Sequence, residues 1–362
     1  MIRLTCYNDT IMNNFSLREK QIVGYVRREK QAGSSDVYNE LTKRGERVSL
    51  VTIKRTLSRL ESQNILTTAG AGPSTAYFLS DFGKLIIDIY AAEYCSQEPD
   101  KCYGARGYNF NLFSALNFDL FSQSEKTKLD FVTDFYLNKI SDISETIHKK
   151  ELERFVIELS WKSSKIEGNT YTLLDTERLI LHGIEAPGHS KDEAVMILNH
   201  KKAFSYIHEH KEKFKTLTRS NIEDVHKIIT GDLSVKTNLR SKPVGIVGSI
   251  YRPLDNQQQI GEAVEALSGA VSRMPHSYAK AFVSLLGISY IQPFEDGNKR
   301  TARMIANAIL LAHGLAPLSY RSVEEKDYRE AMLVFYELNS LIPFKKIFID
   351  QYEFAAKNYL AV

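Results

Sequence analysis

The chain has 362 residues, of which 43% are hydrophobic and 25% charged, an ordinary balance for a globular protein of two or three domains. No apolar run approaches the roughly eighteen residues of a membrane span, and the start MIRLTCYNDTIMNN has no signal-peptide core. Cys6, Cys95 and Cys102 are too few for a disulfide framework and wrongly spaced for a zinc knuckle. The expectation is a cytoplasmic protein without membrane contact, its thiols buried or idle. The net charge of +3 is unevenly spread: residues 1–80 carry twelve Lys and Arg against seven Asp and Glu. A basic end of this kind suits a polyanionic partner, although plain solubility accounts for it equally.

Residues 16–79 read as three helices and a hairpin. Ser16 caps a helix with Leu17, Ile22, Val23 and Val26 on one side, ending at Arg27-Arg28-Glu29-Lys30. A short helix starts at Ser34-Ser35-Asp36, with Val37 and Leu41 as apolar contacts and Gly45 as its stop. Ser49 opens a third, where Ile53, Leu57, Leu60 and Ile65 recur at helical spacing. Its other face shows Thr52, Lys54, Arg55, Ser58 and Arg59. Thr67-Thr68, a Gly-Ala-Gly-Pro turn and residues 75–79 make a two-stranded wing. This order resembles the winged helix-turn-helix, which implies a domain over 1–82. Its third helix would enter the major groove of double-stranded DNA, with Thr52, Lys54, Arg55 and Arg59 as contacts. The same fold also serves for protein docking.

Residues 83–150 follow as a helical connector, in which Phe110, Phe113, Phe118 and Phe121 read as core or interdomain packing. Trp161 reads as core, and Thr172 with Asp175 as a capping box. His200, His208 and His210 read as surface histidines, the last two being only two apart and so on different helical faces. His226 is remote in sequence from any chemistry, and His276 sits where a helix cap is expected.

The segment richest in chemistry is Gln292-Pro293-Phe294-Glu295-Asp296-Gly297-Asn298-Lys299-Arg300, followed by Arg303. An apolar helix carrying Phe282, Leu285, Leu286, Ile288 and Tyr290 precedes it and should end near Gln292, ahead of the proline. A second buried helix, with Met304, Ile305, Ile309 and Leu310, follows and is closed by Gly314 and Pro317. A tight loop feeding a helix N-terminus presents free amides and the positive dipole end to an anion. Gly297 permits close backbone approach and Asn298 offers an amide donor. Arg300 and Arg303, three apart, share a face that can grip a polyphosphate. Asp296 is a hard oxygen ligand of the kind magnesium takes, and Phe294 anchors the loop. Lys299 points away from the face of the two arginines.

These residues resemble the signature of the Fic family, HPFx(D/E)GN(G/K)RxxR, at Pro293, Phe294, Asp296, Gly297, Asn298, Arg300 and Arg303. Ser163-Ser164-Lys165-Ile166-Glu167-Gly168-Asn169 resembles the family's inhibitory helix, (S/T)xxxE(G/N), and marks Ser163, Glu167 and Gly168. Residues 239–253 resemble its target-binding flap, with Val244, Ile246, Gly248, Ser249 and Tyr251. The resemblance implies a mainly α fold, a helical bundle with a β-hairpin flap over 151–362. It also implies transfer of AMP from ATP, with Mg2+, to a Ser, Thr or Tyr hydroxyl of a target protein that the sequence does not name. Gly297, Asn298, Lys299, Arg300 and Arg303 would bind nucleotide and Asp296 the metal.

Two positions depart from the family. Where it has a histidine as base, this chain has Gln292, and a carboxamide cannot take a proton near neutrality. Losing such a base costs a factor of about 10² to 10⁴, so catalysis, otherwise assigned to this position and Asn298, should be crippled. Lys299 stands where most AMP-transferring members have glycine and also occurs in the phosphate-transferring Doc branch, which leaves the transferred group open between AMP and phosphate. Two readings result: a self-inhibited nucleotidyltransferase, and a DNA-binding regulator whose Fic domain senses nucleotide. A homodimer is compatible with the sequence and not required by it.

Overall fold

A computed structural model describes residues 15–140 and 143–359. Cys6 and the segment before Phe15 lie outside the described residues. The N-terminal unit is α1 (Leu17–Glu29), α2 (Ser34–Lys43) and α3 (Leu50–Ser62), then β1 (Leu66–Ala69) and β2 (Ala76–Leu79). Ser16 and Glu19 form a reciprocal capping box on α1, and Ser49 accepts from the Thr52 amide to start α3. The strands pair antiparallel, Leu66 opposite Leu79 and Ala69 opposite Ala76. Ile65, assigned to the third helix from its spacing, lies in the turn before β1, yet it is fully buried with Ile53, Leu57 and Leu60. The unit is a winged helix.

The connector holds α4 (Asp81–Ile86), α5 (Ala91–Cys95), α6 (Leu112–Ala115) and α7 (Gln123–Ile140). Phe113, Phe118 and Phe121 are buried as expected, but Phe110 is exposed, its ring edge-on to Tyr108. Cys95 and Cys102 are free and half-buried, and burial pushes the Cys95 thiol up to about 12.

The bundle comprises α8 (Glu145–Ile166), α9 (Leu173–His182), α10 (Lys191–Glu209), α11 (Arg219–Ile229), α12 (Gln257–Arg273), α13 (Ser277–Ile291), α14 (Asn298–Ala312), α15 (Glu325–Leu338) and α16 (Ile342–Asn358). Its central pair is α13 and α14. Every residue of α13 from Tyr278 to Ile291 is buried except Lys280, and every residue of α14 except Lys299. Helix α13, apolar around almost its whole circumference, belongs in the middle of a bundle, and α14 buries Asn298, Arg300, Arg303 and Asn307 beside it. One continuous apolar cluster runs from Ile22 of α1 through α4 and the connector to Tyr359. No helix among the described residues is long and apolar enough to cross a membrane.

The flap departs from expectation in one respect. Residues 239–253 run out and back around Val247 and Gly248, but without ladder pairing: among the described residues the only sheet is β1–β2. A single turn bond, Ser249 N–H to Ile246 O at 3.1 Å, closes the tip, and Val247 there is almost wholly exposed.

Candidate active site

The site is the junction of α13 and α14. Helix α13 ends on Gln292, whose backbone is left-handed at φ 50° and ψ 60°. The helix stops here ahead of the proline as expected, with Gln292 outside the right-handed helical region, and the buried Arg240 braces the turn. The Arg240 Nε donates to Gln292 O at 2.6 Å, its Nη1 to Lys242 O, and its backbone N–H to Pro293 O. A guanidinium at a helix C-terminus satisfies carbonyls that would otherwise be orphaned. The Gln292 side chain is buried and donates to Ser289 O at 2.6 Å.

Pro293 to Gly297 then turn the chain into α14. Phe294 is fully buried and stacks face to face on His226 at 3.6 Å. Asn298 is committed to this loop rather than to a ligand. Its Oδ1 accepts from the Phe294 N–H and its Nδ2 donates to Phe294 O, both at 2.8 Å. Gly297, at φ 78°, is the N-cap of α14, and a Cβ there would meet Thr230 Cγ2 at 2.8 Å. Glycine is required both by the backbone conformation and by the close packing.

The two arginines part company. Arg300, buried, gives one nitrogen to Asp296 at 2.8 Å, while its Nη1 is buried without a partner. Burial lowers the Arg300 pKa, opposed by Asp296 and Glu167. Asp296 itself is two-thirds exposed at the mouth. Arg303, also buried, turns to the end of α8. Its Nε donates to Ser163 Oγ at 2.8 Å, its Nη2 to Ser163 O at 2.9 Å, and the same Nη2 lies 2.8 Å from Glu167 Oε1. Glu167 is the C-cap of α8, followed by Gly168 at φ 97°. Lys299, expected to point elsewhere, lies 3.7 Å from Glu167 Oε2. Burial alone would raise the Glu167 carboxyl, but Arg303 and Lys299 outweigh it and hold the group below the usual range. Burial works against the Arg303 charge too, and Glu167 reverses it, raising the guanidinium above its ordinary value.

His200, read as a surface residue, is fully buried behind this pair. Its Nδ1 lies 2.8 Å from Met196 O and its Nε2 2.8 Å from Ser163 Oγ. The ring therefore donates to the carbonyl and accepts from the serine hydroxyl, which in turn accepts from Arg303. Burial pushes His200 down to about 3, keeping the ring neutral. His226 is buried as well, with Nε2 2.9 Å from Asp296 O, so it braces the loop. Burial lowers its pKa. His276 occupies the N-cap of α13 without a side-chain cap bond. Trp161 is half-buried, its indole N–H donating to Tyr171 O. Thr172 caps α9, its Oγ1 accepting from the Asp175 N–H, but the Asp175 carboxylate accepts in return from the Thr172 hydroxyl and not from the backbone N–H that a capping box would use.

Two cavities meet at Glu167. One, of about 180 Å³, is polar and lies between Gln292, the 295–300 segment and Val244 to Val247 of the flap. The other, of about 410 Å³, is lined by Tyr328, Met332, Leu333 and Tyr336. Glu167, Lys299, Ile246 and Val247 border both. The return limb of the flap is anchored: Ser249 Oγ and Ile250 N–H both donate to Glu337 of α15, and buried Tyr251 stacks on Tyr290 at 4.7 Å. Neither Glu337 nor Arg240 was singled out from sequence. Among the described residues no cluster of three His, Cys, Asp or Glu is placed to hold a metal. On α3, Lys54 and Arg55 are exposed and Thr52 is half-buried, its hydroxyl bonded to Ser49. Arg59 is ion-paired with Glu19 at 2.7 Å.

Residues 216–310 match the Fic/DOC family and residues 15–80 the penicillinase repressor family. A Nematostella vectensis protein described as Protein adenylyltransferase Fic is 28% identical over 186 residues, 50% of this chain and 44% of that one. A protein of the same description from Aedes aegypti is 26% identical over 230 residues, 62% of this chain and 45% of that one. The chain thus spans under half the length of these relatives. Fic-1 (aa134–508) from C. elegans superposes with a TM-score of 0.57 at 19% identity, covering 66% of this chain and 72% of that one. A Fic domain containing signaling protein from Bacteroides thetaiotaomicron superposes at 0.52 and 18% identity, covering 64% and 94%. Motif, fold and these matches agree on a Fic/DOC domain matched over residues 216–310, behind a winged helix whose residues 15–80 match the penicillinase repressor family.

Proposed function

We propose that this chain is a Fic-type protein adenylyltransferase, self-inhibited by Glu167 and impaired by Gln292. The observation that carries the reading is the buried, unpartnered Arg300 Nη1 beside the N-terminus of α14 and the polar cavity. An uncompensated guanidinium nitrogen in a site of free helix amides is complementary to phosphate oxygens. The adenine of ATP fits the apolar compartment at Tyr328 and Tyr336, and the phosphates fit the polar one. Asp296, a lone exposed carboxylate, suits a Mg2+ ion held chiefly by phosphates and water. That ion would neutralise charge on the phosphates. A target hydroxyl would enter under Val244 to Val247, where Gln292 can orient it but not deprotonate it. Glu167 and Arg303 form an ion pair at 2.8 Å, and a γ-phosphate would need the same guanidinium.

The test is label transfer. Gln292→His supplies a base with a pKa of about 6.5, and Glu167→Gly removes the competing carboxylate. The double variant should pass label from α-labelled ATP to itself or to lysate proteins far more strongly than either single variant. Transfer from γ-labelled ATP alone would establish phosphate as the group moved. Absence of both transfers, with the protein folded, would overturn the enzyme reading.

The match of residues 15–80 to the penicillinase repressor family supports a second reading, a DNA-binding regulator. Lys54 and Arg55 are free for phosphate or base edges, whereas Arg59 must first leave Glu19. Lys54→Ala with Arg55→Ala should abolish a low-salt gel shift of genomic fragments, and the stoichiometry of the shift distinguishes monomer from homodimer. An unchanged shift would exclude α3 as the reading helix. Both readings place the chain in the cytoplasm, with ATP and DNA.

A further inference from the structure

A largely apolar opening outside the nucleotide site lies between the two domains. It has a volume of about 450 Å³ and is walled by α1 and β2 of the winged helix, the 103–109 loop, and the end of α15. Small-molecule sites fall in the range of roughly 300–1,000 Å³ and favour domain interfaces. Phe78, Tyr103, Tyr108 and Leu338 supply its apolar surface, and Arg27, Lys30 and Lys84 its charge. Lys84 is neutralised by Asp81 at 2.9 Å. Neither Arg27 nor Lys30 has a carboxylate within ion-pair distance among the described residues. The Arg27 guanidinium lies 5.4 Å from the Tyr103 ring centre, and its Nε is buried without a partner. The one acid on the wall, Glu337, is buried and fully engaged by Tyr94, Ser249 and the Ile250 amide. An apolar, aromatic hollow with two uncompensated cations at one end is complementary to a flat body bearing negative charge.

We propose that this interdomain cavity is a binding site for a small aromatic anion, separate from the nucleotide site. An occupant would touch both connections to the flap. Tyr108 stacks on Tyr290 at 5.0 Å, and Tyr290 on Tyr251; Glu337 holds Ser249 and Ile250. The inference does not depend on the transferase reading.

The probe is 1-anilinonaphthalene-8-sulfonate, an aromatic anion whose fluorescence rises in apolar surroundings, titrated into the full chain with and without saturating ATP and Mg2+. One saturable equivalent is expected, with an affinity unchanged by nucleotide. Arg27→Ala with Lys30→Ala should weaken binding about tenfold or more, the ordinary worth of hydrogen bonds to a charged group. Gly107 lines the cavity and a Cβ there meets nothing within 4 Å, so Gly107→Trp, which puts an indole at this wall, should abolish the signal. Circular dichroism on each variant confirms folding. Lack of saturable binding by the native chain, displacement of the dye by ATP, or undiminished binding in folded Gly107→Trp would overturn the proposal.

Discussion

His200 shows how one residue can organise a site without touching a ligand. Its neutral ring orients the Ser163 hydroxyl, and Ser163 accepts from Arg303. Its folded pKa of about 3 lies below the ordinary 6.5. Between those values the unfolded chain takes up a proton that the folded chain refuses, so stability falls as pH drops below about 6.5. One proton corresponds to at most about 1.4 kcal/mol per pH unit. His200→Gln should therefore flatten the decline of Tm between pH 6.5 and 4 relative to the native chain, measured by thermal melts. Equal slopes in the two proteins would mean the ring is not the titrating group. The burial of His200 was not legible in sequence, because an isolated histidine carries no mark of which helix face it occupies. Ser163, Glu167 and Arg303 were legible through the resemblance of their two motifs to those of the Fic family, since nothing local relates α8 to α14 across some 140 residues. Lys299 was misplaced because its orientation was judged from α14 alone, while its partner Glu167 comes from α8.

At the scale of elements, the loop before α14 is held by two bonds that close it on itself. Asn298→Ala removes both and leaves the Phe294 amide and carbonyl unsatisfied, a loss of about 1–3 kcal/mol for such buried groups. Denaturant titration should show that drop, and calorimetry a weaker ATP affinity. Helix α8 has its own fastening. Arg329 of α15 donates twice to Ile166 O, the last helical carbonyl before Glu167, and Lys162 pairs with Glu325. Arg329→Ala should loosen the segment that carries Glu167. In a Gln292→His background it should raise self-labelling from α-labelled ATP, though by less than Glu167→Gly; labelling equal to Gln292→His alone would show that Glu167 is held by Arg303 and not by the helix end. Caps such as Ser16, Ser49 and Thr172 were readable because they act within four residues. Arg240 was not, since it caps α13 from 52 residues away in sequence. The flap likewise has the out-and-back path expected of a hairpin, while its shape rests on Glu337 and Tyr290, contacts that no local pattern encodes.

At the scale of the molecule, the two domains share their interior. Helix α4 presses on the start of the wing so closely that a Cβ at Gly83 would lie 2.1 Å from Ile65 O. The same stretch is bonded to the bundle, Leu341 N–H to Leu85 O and Ser340 Oγ to Ile87 O. A common core predicts one cooperative transition by calorimetry for the full chain. Gly83→Ala should lower its midpoint, because a backbone oxygen cannot easily withdraw, and should bring forward any separate melting of the winged helix. Two resolved transitions in the native chain would contradict this. The unbroken core has a geometric consequence too. With α3 and the flap joined through one packed core among the described residues, a chain seated on a duplex would act as a ruler, holding its flap at one height and bearing above the DNA. Hydroxyls carried by a neighbour on the same duplex would come within reach, and those of freely diffusing proteins would have to arrive at that single standoff.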